Sequence, residues 1–481
     1  MSNQKKFYIN GAWVDPVVAR DLDVINPSTE EVCATISLGD QADTDAAVAA
    51  AKAALPAWSA TTREQRLDYL QKLLAAYQAR ADDMAVAIST EMGAPMKVAS
   101  TAQVGAGMAH IANTIEALKT FTFEEPLDEV NSNYGIIHEP IGVTALITPW
   151  NWPMNQVTLK VAPAVAAGCT MVLKPSEIAP LSSIVFAEMM EEAGFPAGVF
   201  NMVHGDGPGV GTQLSGHPDV DMVSFTGSTR AGTAISKNAA DSVKRVALEL
   251  GGKGANIVFA DADDKAVMRG AGGCFYNSGQ SCNAPTRMMV EASAYEAAVA
   301  TAAEVANNTP VDDASKDGPH IGPVVSEAQY NKIQAMIEQG IAEGARLVAG
   351  GPGRAEGHDK GYFVKPTVFA DVTQDMSIAK QEIFGPVLSI LKFDSEEQAV
   401  AMANDTVYGL TNYIQTQDEV RAQRVARQLK SGMVEINGLA CTAVPAPFGG
   451  YKQSGNSREG GRWGLEEFLE TKVVGGWQAQ A

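Results

Sequence analysis

Between residues 44 and 118, apolar side chains return every three or four positions. The stretches "DTDAAVAAAKAALPAW" and "REQRLDYLQKLLAAYQARADDMAVAISTEMG" therefore predict amphipathic helices. Asp43 or Thr44 is placed to cap the first, and the second should end near Gly93 and Pro95. The period then changes. "NYGIIHEPIGVTALITPW" is rich in β-formers and alternates in its first half. Beyond it, short apolar runs take turns with helical stretches. "GVTALIT" precedes "NQVTLKVAPAVAAG", "TMVLKP" precedes "LSSIVFAEMMEEAG", and "VDMVSFTG" precedes "STRAGTAISKNAA". "VFNMVHG" leads to a short helix near Pro208, and "KRVALELGG" closes the series. Buried strands alternating with helices predict βαβ units and a parallel sheet, the α/β class. Ligands of such sheets bind at the carboxyl ends of strands, so the residues after each run are the candidates.

A second α/β series starts near Gly254 and runs to about residue 450. It holds "ANIVFA", the loop "NSGQSCNAP", the helix "EAQYNKIQAMIEQGIAEGA" and "EIFGPVLSILKF". The tail adds one more strand, "TKVVGGW". Paired with the β-rich 125–142 segment, it predicts a small protruding sheet suited to joining copies of the chain.

Composition narrows the partners. The 481 residues exceed one small domain, and 46% are hydrophobic against 19% charged, as in an ordinary globular protein. A formal net charge of −20 argues against nucleic acid and anionic membrane as partners. No long apolar run predicts a membrane helix, and "MSNQKKFYINGAWV" has no signal-peptide core. The five cysteines form no CxxC pair and the six histidines no HExxH, so neither disulfides nor a metal are expected, and a reducing cytoplasm is.

Four strand ends carry candidate chemistry. "HGDGPGVG" fails the GxGxxG pattern, because the last glycine falls on Val210. "FTGSTRAG" is better: Gly227 and Ser228 open a helix whose free N–H groups suit a phosphate, or simply a capped helix start. "LKPSE" ends a strand in Lys174, which either snorkels to water or bonds a ribose or phosphate. Glu177, three residues on, suits ribose hydroxyls and would repel a 2′-phosphate, favouring NAD over NADP. "TPWNWP" sets Asn151 between Trp150 and Trp152, as an aromatic wall or as an amide donor for an oxyanion. "LELGGKG" ends in Glu249, a surface carboxylate or a general base with a raised pKa. Cys282, in "NSGQSCNAP", is by its residue type alone most often buried filler, and a nucleophile only if its neighbours make it one.

Together "PWNWP", "KPSE", "FTGSTRAG", "LELGGK", "GQSCNAPTR", "QEIFGP" and "PFGGYKQSG" resemble the aldehyde dehydrogenase superfamily, in family order and along nearly the whole chain. The resemblance implies a Rossmann-like NAD-binding domain (1–124 and 143–252), an α/β catalytic domain (253–465), and oligomerisation segments (125–142 and 466–481) of a homodimer or homotetramer. It implies that Cys282 attacks a small-molecule aldehyde, that Asn151 and the Cys282 N–H hold the oxyanion, and that Glu249 activates water against the thioester. Glu459 and Lys160 take supporting roles. Lys174 and Glu177 are assigned to the adenine ribose, Trp150, Gly227 and Ser228 to the pyrophosphate region, and Glu382 with Phe384 to the nicotinamide ribose.

Two departures from the family pattern concern the substrate tunnel. Trp152 stands where phenylalanine is usual, and Gln156 and Thr442 stand where apolar or aromatic residues are frequent. No arginine stands out as a clamp for a carboxylate. Two alternatives share the fold: a CoA-acylating semialdehyde dehydrogenase, against which Glu249 speaks, and a non-catalytic binding protein, against which the joint presence of Cys282, Asn151 and Glu249 speaks.

Overall fold

The computed structural model describes residues 3–478. Two seven-stranded sheets organise the chain. In the first, Val143–Ile147, Thr170–Lys174, Phe200–Met202, Met222–Thr226 and Arg245–Glu249 run parallel. Nearly every position of these strands is buried, because helices cover both faces of the sheet. Val143–Ile147 sits between Thr170–Lys174 on one side and Met222–Thr226 on the other. The chain adds Thr170–Lys174 and Phe200–Met202 on one side of it, then crosses back to add Met222–Thr226 and Arg245–Glu249 on the other, so a crevice opens at the carboxyl ends. Phe7–Ile9 and Ala12–Val14 add an antiparallel edge.

The second sheet is parallel except for the edge strand Arg346–Ala349. Its first strand in sequence, Ala255–Val258, lies inside the sheet and follows Arg245–Glu249 after five residues, Leu250 to Gly254. The carboxyl end of the first sheet thus runs into the amino end of the second. Side chains after strands in one sheet meet side chains before strands in the other. Glu124–Pro126, Tyr134–Pro140 and Leu469–Gly475 form a separate antiparallel sheet, in register from Leu469 opposite Pro140 to Gly475 opposite Tyr134. Residues 1–2, assigned above to the NAD-binding domain, and 479–481, assigned to an oligomerisation segment, lie outside the described residues. Among the described residues, no helix is long and apolar enough to cross a membrane.

The helical layer departs from the periodicity in two places. The first helix, Gln41–Ser59, is capped by Asp40, not by Asp43 or Thr44. Asp43 is the third helical residue of a capping box, accepting from the Asp40 N–H at 2.9 Å. The predicted second helix is two, Arg63–Ala79 and Ala81–Met92, separated at Arg80. Arg80 bridges to Glu188 (3.0 Å) and Glu192 (3.2 Å) of the helix Leu181–Glu192, a tertiary anchor that apolar spacing cannot reveal.

Arg66 ties this layer to the helix Pro153–Ala167, which follows the "TPWNW" loop. Its buried guanidinium donates to the carbonyls of Ala166 (2.8 Å) and Thr61 (2.9 Å). Arg66→Leu should lower the thermal midpoint, with a stability loss of about 1–3 kcal/mol from carbonyls left unpaired. A melting curve unchanged from wild type would refute that anchoring role.

Candidate active site

Cys282 is presented by a strained turn. Asn277, Ser278 and Gly279 have φ of 53°, 56° and 72°, three left-handed residues in succession. At Gly279 a side chain is impossible as well as strained, since a Cβ would lie 2.1 Å from the Gly385 carbonyl. The turn is held by its neighbours. Ser278 Oγ donates to the Gly322 carbonyl (2.8 Å), and Gln280 Oε1 accepts from the Val325 N–H (2.9 Å).

The first sheet reaches this turn through Asn151. Its Nδ2 donates to the Gln280 carbonyl (3.1 Å), and its own carbonyl accepts from Asn277 Nδ2 (3.0 Å) and Gln103 Nε2 (3.2 Å). One Nδ2 hydrogen therefore remains uncommitted. Trp152 donates its indole N–H to Ser281 Oγ (2.9 Å), on the other side of the cysteine. A third contact comes from the chain after Glu249. A Cβ on Gly252 would sit 2.3 Å from the Cys282 carbonyl oxygen, so only glycine allows this approach.

Behind the cysteine lies a buried acidic group. Glu249 is 2% exposed; its Oε1 accepts from Ser457 Oγ (2.9 Å) and its Oε2 has no partner. Lys160, on the helix Pro153–Ala167, donates to Thr226 Oγ1 (2.7 Å) and to Glu459. On the opposite side Glu382 accepts from the Gly252 N–H (2.8 Å). Burial first, and the charge of Glu459 second, push the Glu249 carboxyl well above the usual carboxylate range. Burial, then the charges of Glu382 and Glu249, push the Cys282 thiol up as well. At rest the sulfur holds its proton, and thiolate formation requires that this negative surrounding be offset.

Two cavities meet at Cys282. One, of about 220 Å³, is walled by Trp150, Asn151, Ser228, Glu382 and Phe384 and includes Gly227. Phe384 meets Trp150 edge-on, centroids 5.4 Å apart. The other, of about 250 Å³, is walled by Trp152, Gln156, Thr442, Leu159 and Phe448. Of the residues named from the sequence, Trp150, Gly227, Ser228, Glu382 and Phe384 thus line one cavity and Trp152, Gln156 and Thr442 the other, with Cys282 in the wall of both. Lys174 and Glu177 stand apart from both, at the end of Thr170–Lys174. Lys174 does not snorkel: it is buried, and its ammonium donates to the carbonyls of Gly205 (2.5 Å) and Pro175 (2.9 Å) and lies 3.4 Å from Glu177. Gly227 lends the cavity its backbone but no free donor, because its N–H is bonded to the Glu249 carbonyl (3.0 Å). Ser228 caps the helix Thr229–Ala239, accepting from the Ala231 N–H (3.3 Å), so the helix-capping reading of this stretch holds.

Several side chains of the site escape sequence reasoning. Ser457 holds Glu249, and its only signal is a place two residues before Glu459. Gln103 comes from the helical layer, and Lys332 enters the 220 Å³ cavity from the helix Glu327–Ala342. Neither stands beside a motif.

Comparison with known proteins agrees with this arrangement. A family model described as the aldehyde dehydrogenase family matches residues 13–474. The chain is 50% identical to a 3-succinoylsemialdehyde-pyridine dehydrogenase of a Pseudomonas species, over 99% of this chain and 100% of that protein. The crystal structure of an aldehyde dehydrogenase from Bartonella henselae superposes with a TM-score of 0.98 at 58% identity, over 99% of this chain and 100% of that one. A mutant aldehyde dehydrogenase C from Pseudomonas syringae, complexed with NAD+ and octanal, superposes at 0.97 with 47% identity, over 100% and 98%. Matched from end to end in sequence and in fold, the chain belongs to the aldehyde dehydrogenase family.

Proposed function

We propose that this protein oxidises an aldehyde to its carboxylic acid with NAD, through a thioester on Cys282. One observation carries the reading: Cys282 is the common wall of two cavities, one bearing the residues suited to a dinucleotide and the other those suited to an aldehyde. The residues present fit NAD. Lys174, Glu177 and Ser228 lie at strand ends beside the crevice of the first sheet, and Trp150, Phe384 and Glu382 line the way to Cys282. Glu249, Glu382 and Glu459 leave the surroundings of the sulfur short of positive charge, which suits the cationic ring of an oxidised nicotinamide.

Each group then has a chemical task. Cys282 releases its proton to solvent through the substrate cavity, and its sulfur bonds to the carbonyl carbon while the C=O π bond opens to an oxyanion. The uncommitted Nδ2 hydrogen of Asn151 and the Cys282 N–H are the donors for that oxyanion. When bound, NAD supplies the acceptor for the hydride that the carbon loses, which leaves a thioester. Glu249, through its unpartnered Oε2, takes a proton from water, and the water oxygen displaces the sulfur to give the acid. Glu459, paired to Lys160 behind Glu249, is placed to pass the proton onward. A CoA-acylating reaction would not need a buried base here.

The remaining assignments belong to the same proposal. Residues 1–124 with 143–252 form the NAD-binding domain, 253–465 the catalytic domain, and 125–142 with 466–481 the oligomerisation segments of a homodimer or homotetramer. The five cysteines are free thiols, in keeping with a cytoplasmic setting. Names of relatives carry both octanal and a pyridine-bearing semialdehyde, so membership of the family does not by itself select the substrate.

Two measurements test this reading. Glu249→Gln should give a burst of about one NADH per active site and then a steady state reduced roughly a hundredfold or more, since acylation survives the loss of the base better than deacylation does. Loss of burst and steady state together would place Glu249 before hydride transfer, and restoration of turnover by CoA alone in wild type would favour the acylating reaction. For the cofactor, kcat/KM should be higher with NAD than with NADP. Glu177→Ser should narrow that gap by about tenfold, because one carboxylate facing the 2′ position is removed. An unchanged ratio would take Glu177 out of cofactor choice.

A further inference from the structure

The strand Arg245–Glu249 is the outer strand of the first sheet, and its free edge is taken by a segment from the far end of the chain. The Leu250 N–H donates to the Ser454 carbonyl (2.9 Å) and the Asn456 N–H to the Leu248 carbonyl (3.1 Å), an antiparallel bridge with Gly455 opposite Glu249. Gly455 has φ of 129°, and a Cβ there would lie 2.0 Å from the Leu248 carbonyl oxygen, so only glycine permits this approach. The Asn456 side chain prolongs the pairing: its Oδ1 accepts from the Leu248 N–H (2.9 Å) and its Nδ2 donates to the Val246 carbonyl (3.1 Å). These bonds fix where the next residue, Ser457, falls.

Ser457 is 2% exposed, and its Oγ stands between two acceptors, Glu249 Oε1 at 2.9 Å and the Leu248 carbonyl oxygen at 3.2 Å. A hydroxyl has one hydrogen, so it serves one of them fully at a time. Among the described residues, Ser457 is the one hydrogen-bond donor to the Glu249 carboxyl. The cations that face this carboxyl are committed elsewhere. Lys160 is bonded to Thr226 and Glu459, and Arg458 Nη1 to the carbonyls of Gly450 (3.0 Å) and Ser457 (2.6 Å). Glu459 and Cys282, the other titratable groups around it, bring no positive charge. Gly449 closes the remaining side, where a Cβ would lie 2.8 Å from Oε1.

We propose that Ser457 is a positioning residue for water activation: it fastens one oxygen of Glu249, so that Oε2 is the oxygen left to take the proton, and it binds the ionised base more firmly than the protonated one. The proposal rests on the aldehyde-oxidising function inferred above. A hydroxyl donates more strongly to a carboxylate than to a neutral acid. When Glu249 takes a proton from the attacking water, Oε1 becomes the weaker acceptor, and the Leu248 carbonyl is in reach of the serine hydrogen instead. No O–H bond of Ser457 breaks; its hydrogen only turns. Ser457 therefore keeps a partner in both states of the base, in a space where an unpaired polar atom is costly. The bond lost on protonation favours return of the proton, which readies Glu249 for the next turnover.

The test follows deacylation itself, as the decay of the acyl-enzyme in quenched-flow intact-protein mass, across pH, with NAD and octanal as the probe aldehyde. Ser457→Ala removes the donor and favours protonated Glu249, so the pH at which decay reaches half its maximum should move up by about one unit. Decay should then be about tenfold slower than in wild type on the acid side and converge with it as pH rises. Ser457→Thr, which keeps the hydroxyl, should recover most of that shift. On a Glu249→Gln background, Ser457→Ala should change decay little, because the serine acts through the carboxylate. A Ser457→Ala decay slowed equally at every pH, or slowed as much on the Glu249→Gln background, would reduce Ser457 to packing and overturn the proposal. An unchanged pH profile in Ser457→Ala would overturn it too. No acyl adduct in wild type with octanal or any shorter alkanal would instead strike the function on which it rests.

Discussion

The clasp between Asn151 and the cysteine turn is the interaction on which the site depends. Asn151 follows the strand Val143–Ile147 of the first sheet, and Gln280 and Asn277 precede a strand of the second. Their mutual hydrogen bonds place the end of one sheet against the beginning of the other, with Cys282 at the junction. The left-handed run Asn277–Gly279 is affordable only because it is held on every side, by Gln103, Gly322 and Gly385 among others. The same bonds that secure the backbone also orient the Asn151 amide and leave its second Nδ2 hydrogen free.

Charge is the second organising feature. Three carboxylates, Glu249, Glu382 and Glu459, surround the sulfur, and the one lysine bonded among them, Lys160, is given to Glu459. This arrangement keeps the resting thiol protonated and Glu249 reluctant to ionise.

What was legible in the sequence follows from what was local. Strands such as "TMVLK" read clearly because both faces are buried, whereas Cys282, Glu249 and Asn151 were each ambiguous alone and took their expected roles only from the resemblance that their motifs carry together. The break at Arg80 was hidden, since its cause is a pair of glutamates over a hundred residues away. The fate of Lys174 was open for the same reason: the Gly205 carbonyl that keeps it inside comes from another loop.

The central claim is that one sulfur joins two binding cavities into a reaction site, and Cys282→Ala tests it most directly. NAD binding by fluorescence titration should be retained, aldehyde-dependent NADH formation should fall to background, and no acyl adduct should appear in the intact-protein mass. Turnover near the wild-type rate in that variant, or an acyl adduct on another residue, would contradict the account.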